Sequence, residues 1–475
     1  MKKTIYSILV LATLGSVFNS CSEDFTETRF FQSEQAKPIT SVEQLQSFMN
    51  GTYVAMRSSY YLGSFYRAYG EVRSDEMYHR GNRPSLQNFT YFESTYSSST
   101  EAENTWEAAY GVIANANIII NSSDNLTWGE SSNPNVVSAQ IKNIKGQAYA
   151  TRAWATFDLL RLYGQKYSGG TLGVVLPTTF NPKGKQARAT IAETEARIEA
   201  DFQAALNNIG SETDNADKTY ISPLAIKALM TRYYLYKENY AKVAELVKEI
   251  YDSDIYKVIP SSDLVSSFSK PNTENSIFEL AVGKNGALSV NSYDYLLNGE
   301  GGYQQIAVLS GAINLYAAGD IRLSLIKEAR TASGQKIGDF LSNKFSSRDG
   351  SNNIKLIRYE EVLLSGAEAS IKTGDLATAL KYYNKIRENR NLATASSVTL
   401  DDIKQERSRE LIGEGFRYWD LLRWGATLRV YDDSGAVTNN SYNIGNQLIA
   451  MPIPQSETNV SGSLVQPNPG YDNSN

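Results

Sequence analysis

Apolar residues recur three and four positions apart through much of the chain, and this spacing predicts amphipathic helices. The longest such stretch is 140–163, where apolar residues line one side of the predicted helix. Thr190 and Glu193 have the spacing of a capping box, which predicts that another helix begins there. Short runs at 172–177 and 276–282 have the apolar character of a strand or an extended segment. The pattern therefore predicts a mostly α fold with few short strands.

Two pairs of predicted helices are each joined by a short turn. The first pair covers 223–237 and 240–251, and the second covers 358–372 and 376–386. Both pairs resemble tetratricopeptide hairpins, whose small residues let two helices pack closely and stack into a concave scaffold. Long irregular stretches separate the pairs, so the pattern favours a helical hairpin scaffold within a larger fold over a bare array of repeats.

Two aromatic stretches, 58–99 and 288–305, lack a sustained period and are rich in Tyr, Gly and Asn. A long irregular segment in a compact domain is commonly functional. Tyr offers a flat apolar face together with a hydroxyl, which suits contact with a sugar ring. We therefore predict that these stretches form a loop-rich ligand-binding region.

In the segment 406–425, called here the charged segment, ionised residues alternate with apolar and aromatic residues. An ordinary amphipathic helix keeps its charges on one face, whereas here they fall on all sides. Such a segment is expected to be largely enclosed, with its charges paired. Arg suits this position because its planar guanidinium donates two parallel hydrogen bonds to a carboxylate and stays charged. We therefore predict a structural role for the charged segment and not a catalytic one.

Composition narrows the function classes further. The 475 residues are 41% hydrophobic and 20% charged, with a net charge of −5 and no basic stripe, which argues against nucleic-acid binding. The chain has one His, His79, and one Cys, Cys21. These numbers exclude a His-rich zinc site, a Cys–His nucleophile pair and a disulfide within the chain. We expect no metal and no cofactor.

The amino terminus has the pattern of a secretion signal. Lys2 and Lys3 precede an apolar run at 5–18 that is too short to span a membrane, and the run ends just before Cys21. We predict a signal peptide at 1–20, lipidation of Cys21 and a lipidated tether at 21–40. An ordinary cleavage site beside an accidental Cys remains the alternative.

Four motifs occur in order in the carboxyl-terminal third, at 357–387, 406–425, 452–457 and 466–471. In this order they resemble the SusD/RagB family of Bacteroidetes outer-membrane lipoproteins. The resemblance implies a SusD-like fold over 41–475, with an amino-terminal helical part at 41–250 and a signature part at 251–475. It also implies a surface-facing outer-membrane lipoprotein that captures nutrients and covers a TonB-dependent, SusC-like transporter.

The resemblance further implies that the ligand is an oligosaccharide or polysaccharide bound by the two aromatic stretches. Carried over to this sequence, the predicted ligand-binding residues are Asp75, Arg83, Tyr91, Tyr96, Tyr293 and Tyr303. Three alternatives remain open, namely peptide binding by the same architecture, a purely structural scaffold and a glycoside hydrolase. Hydrolysis needs two carboxylates placed across the scissile bond, and no carboxylate here stands in a catalytic motif. We therefore expect a binding protein and not an enzyme.

Overall fold

The computed structural model describes residues 38–81, 84–92, 99–211, 217–462 and 464–471. Contacts within the chain group nearly all of the described residues into one large unit, from which 38, 39 and 181–184 are left out. The predicted signal peptide, Cys21 and nearly all of the predicted tether lie outside the described residues. These three assignments, and the division of the SusD-like domain at residue 250, stay predictions.

Helices make up about half of the protein. The α-helices of the described residues are α1 (Val42–Met56), α2 (Phe65–Val72), α3 (Pro84–Tyr91), α4 (Thr100–Ile120), α5 (Pro134–Tyr163), α6 (Ile191–Asn208), α7 (Pro223–Tyr236), α8 (Tyr240–Asp252), α9 (Leu264–Ser267), α10 (Tyr293–Leu297), α11 (Ser310–Ile313), α12 (Tyr359–Thr373), α13 (Leu376–Arg387), α14 (Leu400–Leu411), α15 (Arg417–Arg423) and α16 (Gln455–Val460). The strands are β1 (Met77–His79), β2 (Ser276–Leu280), β3 (Ile306–Val308), β4 (Lys327–Arg330), β5 (Lys336–Phe340), β6 (Ile354–Arg358), β7 (Leu428–Tyr431) and β8 (Val437–Tyr442). The predicted mostly α class is confirmed.

The strands form four antiparallel pairs, β1–β3, β2–β6, β4–β5 and β7–β8. The strand predicted at 276–282 is confirmed as β2. The apolar run at 172–177 contributes one isolated bridge, between Leu172 and Thr190. Because each sheet has two strands, the sheets position loops and the helices supply most of the core.

The central helix is α5, which contains the stretch predicted at 140–163. Every residue from 150 to 163 is buried, so the second half of α5 is enclosed on all sides. Its apolar spacing had predicted burial on one side alone. Its buried arginines are paired with carboxylates, since Arg152 donates to Asp201 at 2.6 Å and Arg161 donates to Asp158 at 2.6 Å. The capping box of Thr190 and Glu193 is present at the start of α6.

The two predicted helical hairpins are confirmed as α7–α8 and α12–α13, and α8 packs against α12. Gly366 of α12 makes this close packing possible. A Cβ at Gly366 would lie 2.4 Å from Val247 of α8 and 3.0 Å from the Tyr382 ring of α13. A larger residue at this position would therefore push both neighbouring helices away.

The prediction that 58–99 is irregular is wrong for much of the stretch. It contains α2, β1 and α3, and all eight residues of α2 are buried. The reason is that its Tyr hydroxyls find partners inside the protein. Tyr61 and Tyr66 both donate to the carboxylate of Asp158 on α5, Tyr61 at 2.7 Å. A Tyr-rich segment with satisfied hydroxyls can serve as core.

Candidate functional site

The charged segment forms the second half of α14 and the whole of α15, which are separated by a turn. Gly413 and Gly415 in this turn have φ of 78° and 83°, a left-handed conformation that favours glycine. A Cβ at Gly415 would also lie 3.0 Å from the Cα of Arg67 in α2. The two glycines therefore let the turn approach α2 closely while α14 and α15 change direction.

Five basic and five acidic side chains form one connected ion network around α14. Each member is at most 10% exposed. The members are Arg322, Lys344, Arg358, Arg390 and Arg409 with Asp320, Glu360, Glu406, Glu410 and Glu414. Equal numbers of the two signs make the network self-neutralising. The prediction that the charged segment is enclosed and charge-paired is confirmed.

Asp75, predicted as a ligand contact, is hydrogen-bonded to the charged segment. Its two carboxylate oxygens accept hydrogen bonds from Arg417 Nε at 2.7 Å and Nη2 at 3.0 Å. The Asp75 side chain is 39% exposed. Asp75 therefore ties the residues before β1 to α15, and its role in ligand binding stays a prediction.

The pairing of β1 with β3 brings the two predicted aromatic stretches together. His79 lies opposite Ile306 in this pair, and the backbone N–H of Arg80 donates to the carbonyl of Gln305 at 2.7 Å. The chain after β1 thus begins next to the chain before β3. The first of these leads towards Arg83 and the second carries Tyr303.

The loop 298–305, called here the Tyr303 loop, is held by its own hydrogen bonds. The backbone N–H of Tyr303 donates to the carbonyl of Tyr295 at 2.7 Å, and the Gln304 amide donates to the carbonyl of Gly299 at 2.8 Å. The Tyr303 ring packs edge-on against Tyr295, with ring centroids 4.8 Å apart. Tyr303 is nevertheless 43% exposed. The loop therefore presents a supported aromatic ring to solvent.

The other predicted ligand residues lie in different surroundings. Tyr293, in α10, is 1% exposed, and the Arg67 guanidinium lies 4.2 Å from its ring centroid. Tyr91 ends α3 and is half-buried, and its carbonyl accepts from the Tyr442 hydroxyl at 3.4 Å. Arg83 and Tyr96 lie outside the described residues. Of the three described tyrosines in the predicted set, Tyr303 is the most exposed.

A cleft that sequence reasoning missed lies beneath α10. This cleft, called here the Arg67 cleft, is open to solvent, and Arg67, Tyr293, Asp294 and Asn353 are among its lining residues. Burial raises the pKa of Asp294 to about 6, although the charge of Arg67 opposes the shift. A lone Arg within an aromatic segment belongs to no motif. The apolar and aromatic neighbours of Arg67 in α2 were the available signal that this cation is buried.

In the described ranges, no helix is both long and apolar enough to cross a lipid bilayer. His, Cys, Asp and Glu side chains in those ranges form no group of three or more that suits a metal ion.

Comparison with known families and structures identifies the family to which this fold belongs. A family model described as "SusD family" matches residues 325–471, and one described as "Starch-binding associating with outer membrane" matches residues 26–235. Together the two matches cover most of the chain. The chain belongs to the SusD/RagB family. The resemblance seen in the four carboxyl-terminal motifs is thus confirmed.

Individual proteins of known sequence or structure are similar to this chain over nearly its whole length. SusD-like protein P38 of Formosa agariphila is 24% identical over 504 residues, covering 92% of this chain and 95% of that protein. The crystal structure of a SusD superfamily protein from Bacteroides thetaiotaomicron matches with a TM-score of 0.80 and 25% identity, covering 90% of this chain and 100% of that chain. Surface glycan-binding protein A from Bacteroides fluxus shares the fold, with a TM-score of 0.74 and 21% identity over 91% of this chain and 100% of that chain.

Proposed function

We propose that this SusD/RagB family member is a cell-surface lipoprotein that binds a glycan and delivers it to a TonB-dependent, SusC-like transporter in the outer membrane. The family description names starch binding and association with the outer membrane. A protein of the same fold is named as a surface glycan-binding protein. Both descriptions support binding of carbohydrate and not its hydrolysis.

The observation that carries the proposal is the exposed, supported ring of Tyr303. A Tyr face covers the apolar C–H surface of a sugar ring, and a Tyr hydroxyl can form hydrogen bonds with water or a sugar hydroxyl. Because the Tyr303 loop is fixed by backbone hydrogen bonds, little conformational entropy is lost when a ligand binds. Loops held by a rigid frame are also where binding residues concentrate.

The proposed binding surface centres on Tyr303 and extends to the chain that follows β1. Arg83, Tyr91 and Tyr96 lie on that chain and remain proposed contacts. Asp75 stays a proposed contact through its exposed edge. We leave Tyr293 out of this surface because its ring is covered by Arg67.

Isothermal titration against a panel of neutral oligosaccharides tests the proposal. Tyr303→Ala is expected to weaken binding of the cognate oligosaccharide at least about tenfold, which corresponds to about 1.4 kcal/mol. Tyr220→Ala is the matched control, because Tyr220 is 38% exposed and also packs edge-on against another Tyr. Equal binding by the parent, Tyr303→Ala and Tyr220→Ala would place the glycan site elsewhere.

The class of ligand and the partner have their own tests. The same titrations with peptides, and product analysis after incubation with each oligosaccharide, separate a glycan-binding protein from a peptide-binding protein and from a hydrolase. For delivery, the full-length tagged protein is expected to retain a TonB-dependent transporter when it is purified from solubilised outer membranes of its own cells. Purification without any such transporter would contradict the delivery step.

A further inference from the structure

The Arg67 cleft contains a buried cation in an unusual setting. Arg67 is 7% exposed, and its guanidinium lies 4.2 Å from the ring centroid of Tyr293 and 5.3 Å from that of Phe345. All three residues line the cleft. The guanidinium is thus held against two aromatic walls and faces the open space.

Among the described residues, the Arg67 side chain has no hydrogen-bond partner and no carboxylate oxygen within 4 Å. Other buried arginines without an ion pair are bonded. Arg73 donates from Nε to the carbonyl of Phe89 at 2.9 Å and from Nη1 to the Tyr69 hydroxyl at 2.7 Å, while Arg188 donates to the carbonyl of Gly173 at 2.8 Å. An Arg carries five N–H donors in a fixed plane, so Arg67 keeps an unused donor set.

The other charges of the cleft compensate Arg67 only in part, because Asp294 interacts with it electrostatically but makes no ion-pair contact with it. The lining includes four cations, Arg67, Lys344, Lys355 and Arg358, but only two carboxylates, Asp294 and Glu414. Lys344 and Arg358 share Glu414, at 2.7 and 2.6 Å, and Lys355 pairs with Glu279 at 2.6 Å. Asp294 accepts from the backbone N–H of Ser347 at 3.1 Å. A desolvated charge without a partner is costly, and an incoming anion relieves that cost.

We propose that the Arg67 cleft binds an acidic sugar unit, with its carboxylate or sulfate group on the Arg67 guanidinium. Arg binds both groups through two parallel hydrogen bonds. The remaining walls suit a sugar ring, because Phe268 is aromatic and partly exposed and the Asn352 amide offers a donor and an acceptor for hydroxyls. That the unit belongs to a longer glycan rests on the proposed function, whereas the anion site itself does not.

The test compares sugars that differ in one group, at a fixed ionic strength. Methyl β-glucuronide and methyl β-glucoside 6-sulfate represent the carboxylate and the sulfate, methyl β-glucoside is the neutral control, and inorganic sulfate represents a free anion. We expect one of the two acidic sugars to bind in isothermal titration and to raise the melting temperature, with the glucoside and inorganic sulfate at least tenfold weaker. Inorganic sulfate binding as tightly as the acidic sugars would overturn the sugar part of the proposal.

Variants locate the binding in the cleft. Arg67→Gln is expected to weaken the acidic sugar at least about tenfold, because it removes charge-assisted hydrogen bonds, and Arg67→Lys to restore part of the loss. Arg197→Gln, on α6, is the matched control and should bind as the parent does. Unchanged binding by Arg67→Gln would overturn the proposal, as would tri-glutamate binding to the parent protein as tightly as the acidic sugar.

Two arrangements keep the test decisive. If Arg67→Gln does not fold, failure of both acidic sugars to bind the parent more tightly than methyl β-glucoside overturns the proposal. Tyr303→Ala separates this inference from the proposed function, since it should lose the neutral oligosaccharide and keep the acidic sugar.

Discussion

Replacing Glu410 with Gln removes one negative charge from the ion network while keeping the size of the side chain. Glu410 is 1% exposed. Its carboxylate accepts from Arg390 Nε at 2.8 Å and Nη2 at 2.9 Å, from Arg322 Nη1 at 3.1 Å and from Arg358 Nη1 at 3.3 Å. Burial opposes ionisation of Glu410, but Arg390, Arg358 and Arg322 outweigh it and hold the pKa well below its usual range. The substitution leaves five buried cations facing four carboxylates.

The size of the effect follows from this geometry. Removing one partner of a buried ion pair typically costs about 3–5 kcal/mol. Unfolding entropy of about 2.1 cal/mol/K per residue, over a unit of roughly 430 residues, gives about 0.9 kcal/mol/K. The melting temperature should therefore fall by about 3 to 6 °C, which thermal unfolding followed by circular dichroism resolves.

The matched control is Glu249→Gln. Glu249 also pairs with a cation, Lys227, at 2.6 Å, but the two side chains are 42% and 26% exposed. A surface pair of this kind contributes about 0–1 kcal/mol, so the control should melt within about 1 °C of the parent. If Glu410→Gln melts as high as Glu249→Gln, the ion network does not stabilise the fold and the structural role given to the charged segment is wrong.

Two further predictions concern pH and the lipid anchor. Burial raises the pKa of Glu71 to about 7, from about 4.3 in the unfolded chain. Between these pH values the folded state binds a proton that the unfolded chain has lost, so the free energy of unfolding falls as the pH rises from about 4.3 to about 7. The difference in free energy of unfolding between Glu71→Gln and its parent, measured by urea unfolding, should therefore shift in favour of the variant by about 3 kcal/mol from pH 5 to pH 8. An equal difference at both pH values would contradict this. Cys21→Ala should abolish labelling by a fatty-acid probe and release the protein from membranes, whereas Ser20→Ala, which keeps the thiol, should not; a labelled Cys21→Ala protein would refute lipidation.

Local signals predicted much of the helical scaffold. The turn after 237 and the one at 374–375 separate helices whose spacing is visible in a short window, and α7–α8 and α12–α13 follow. Helix formation depends on neighbours three and four residues apart, which the sequence displays directly. The charged segment was recognised for the same reason, since its charges fall on all sides of any helix.

The partners of those charges were not predictable from spacing. Glu410 bonds Arg390, 20 residues away, and Arg322, 88 residues away. The same limit explains the error at 58–99. Tyr61 is in the core because Asp158, 97 residues away, accepts its hydroxyl, and a sequence window shows the Tyr without its acceptor. Aromatic content alone therefore did not separate an exposed ring such as Tyr303 from a buried one such as Tyr293.

The helix α10 separates the two places where we propose that ligand binds. Tyr293 lines the Arg67 cleft and Tyr295 supports Tyr303, and two residues correspond to about 200° around a helix. The cleft and the Tyr303 loop therefore face opposite sides of α10, and one sugar unit cannot contact both. A glycan that uses both has to pass around the helix with several units. Monosaccharide probes should therefore report the two places independently, and for a long acidic glycan the free-energy losses of Tyr303→Ala and Arg67→Gln should add.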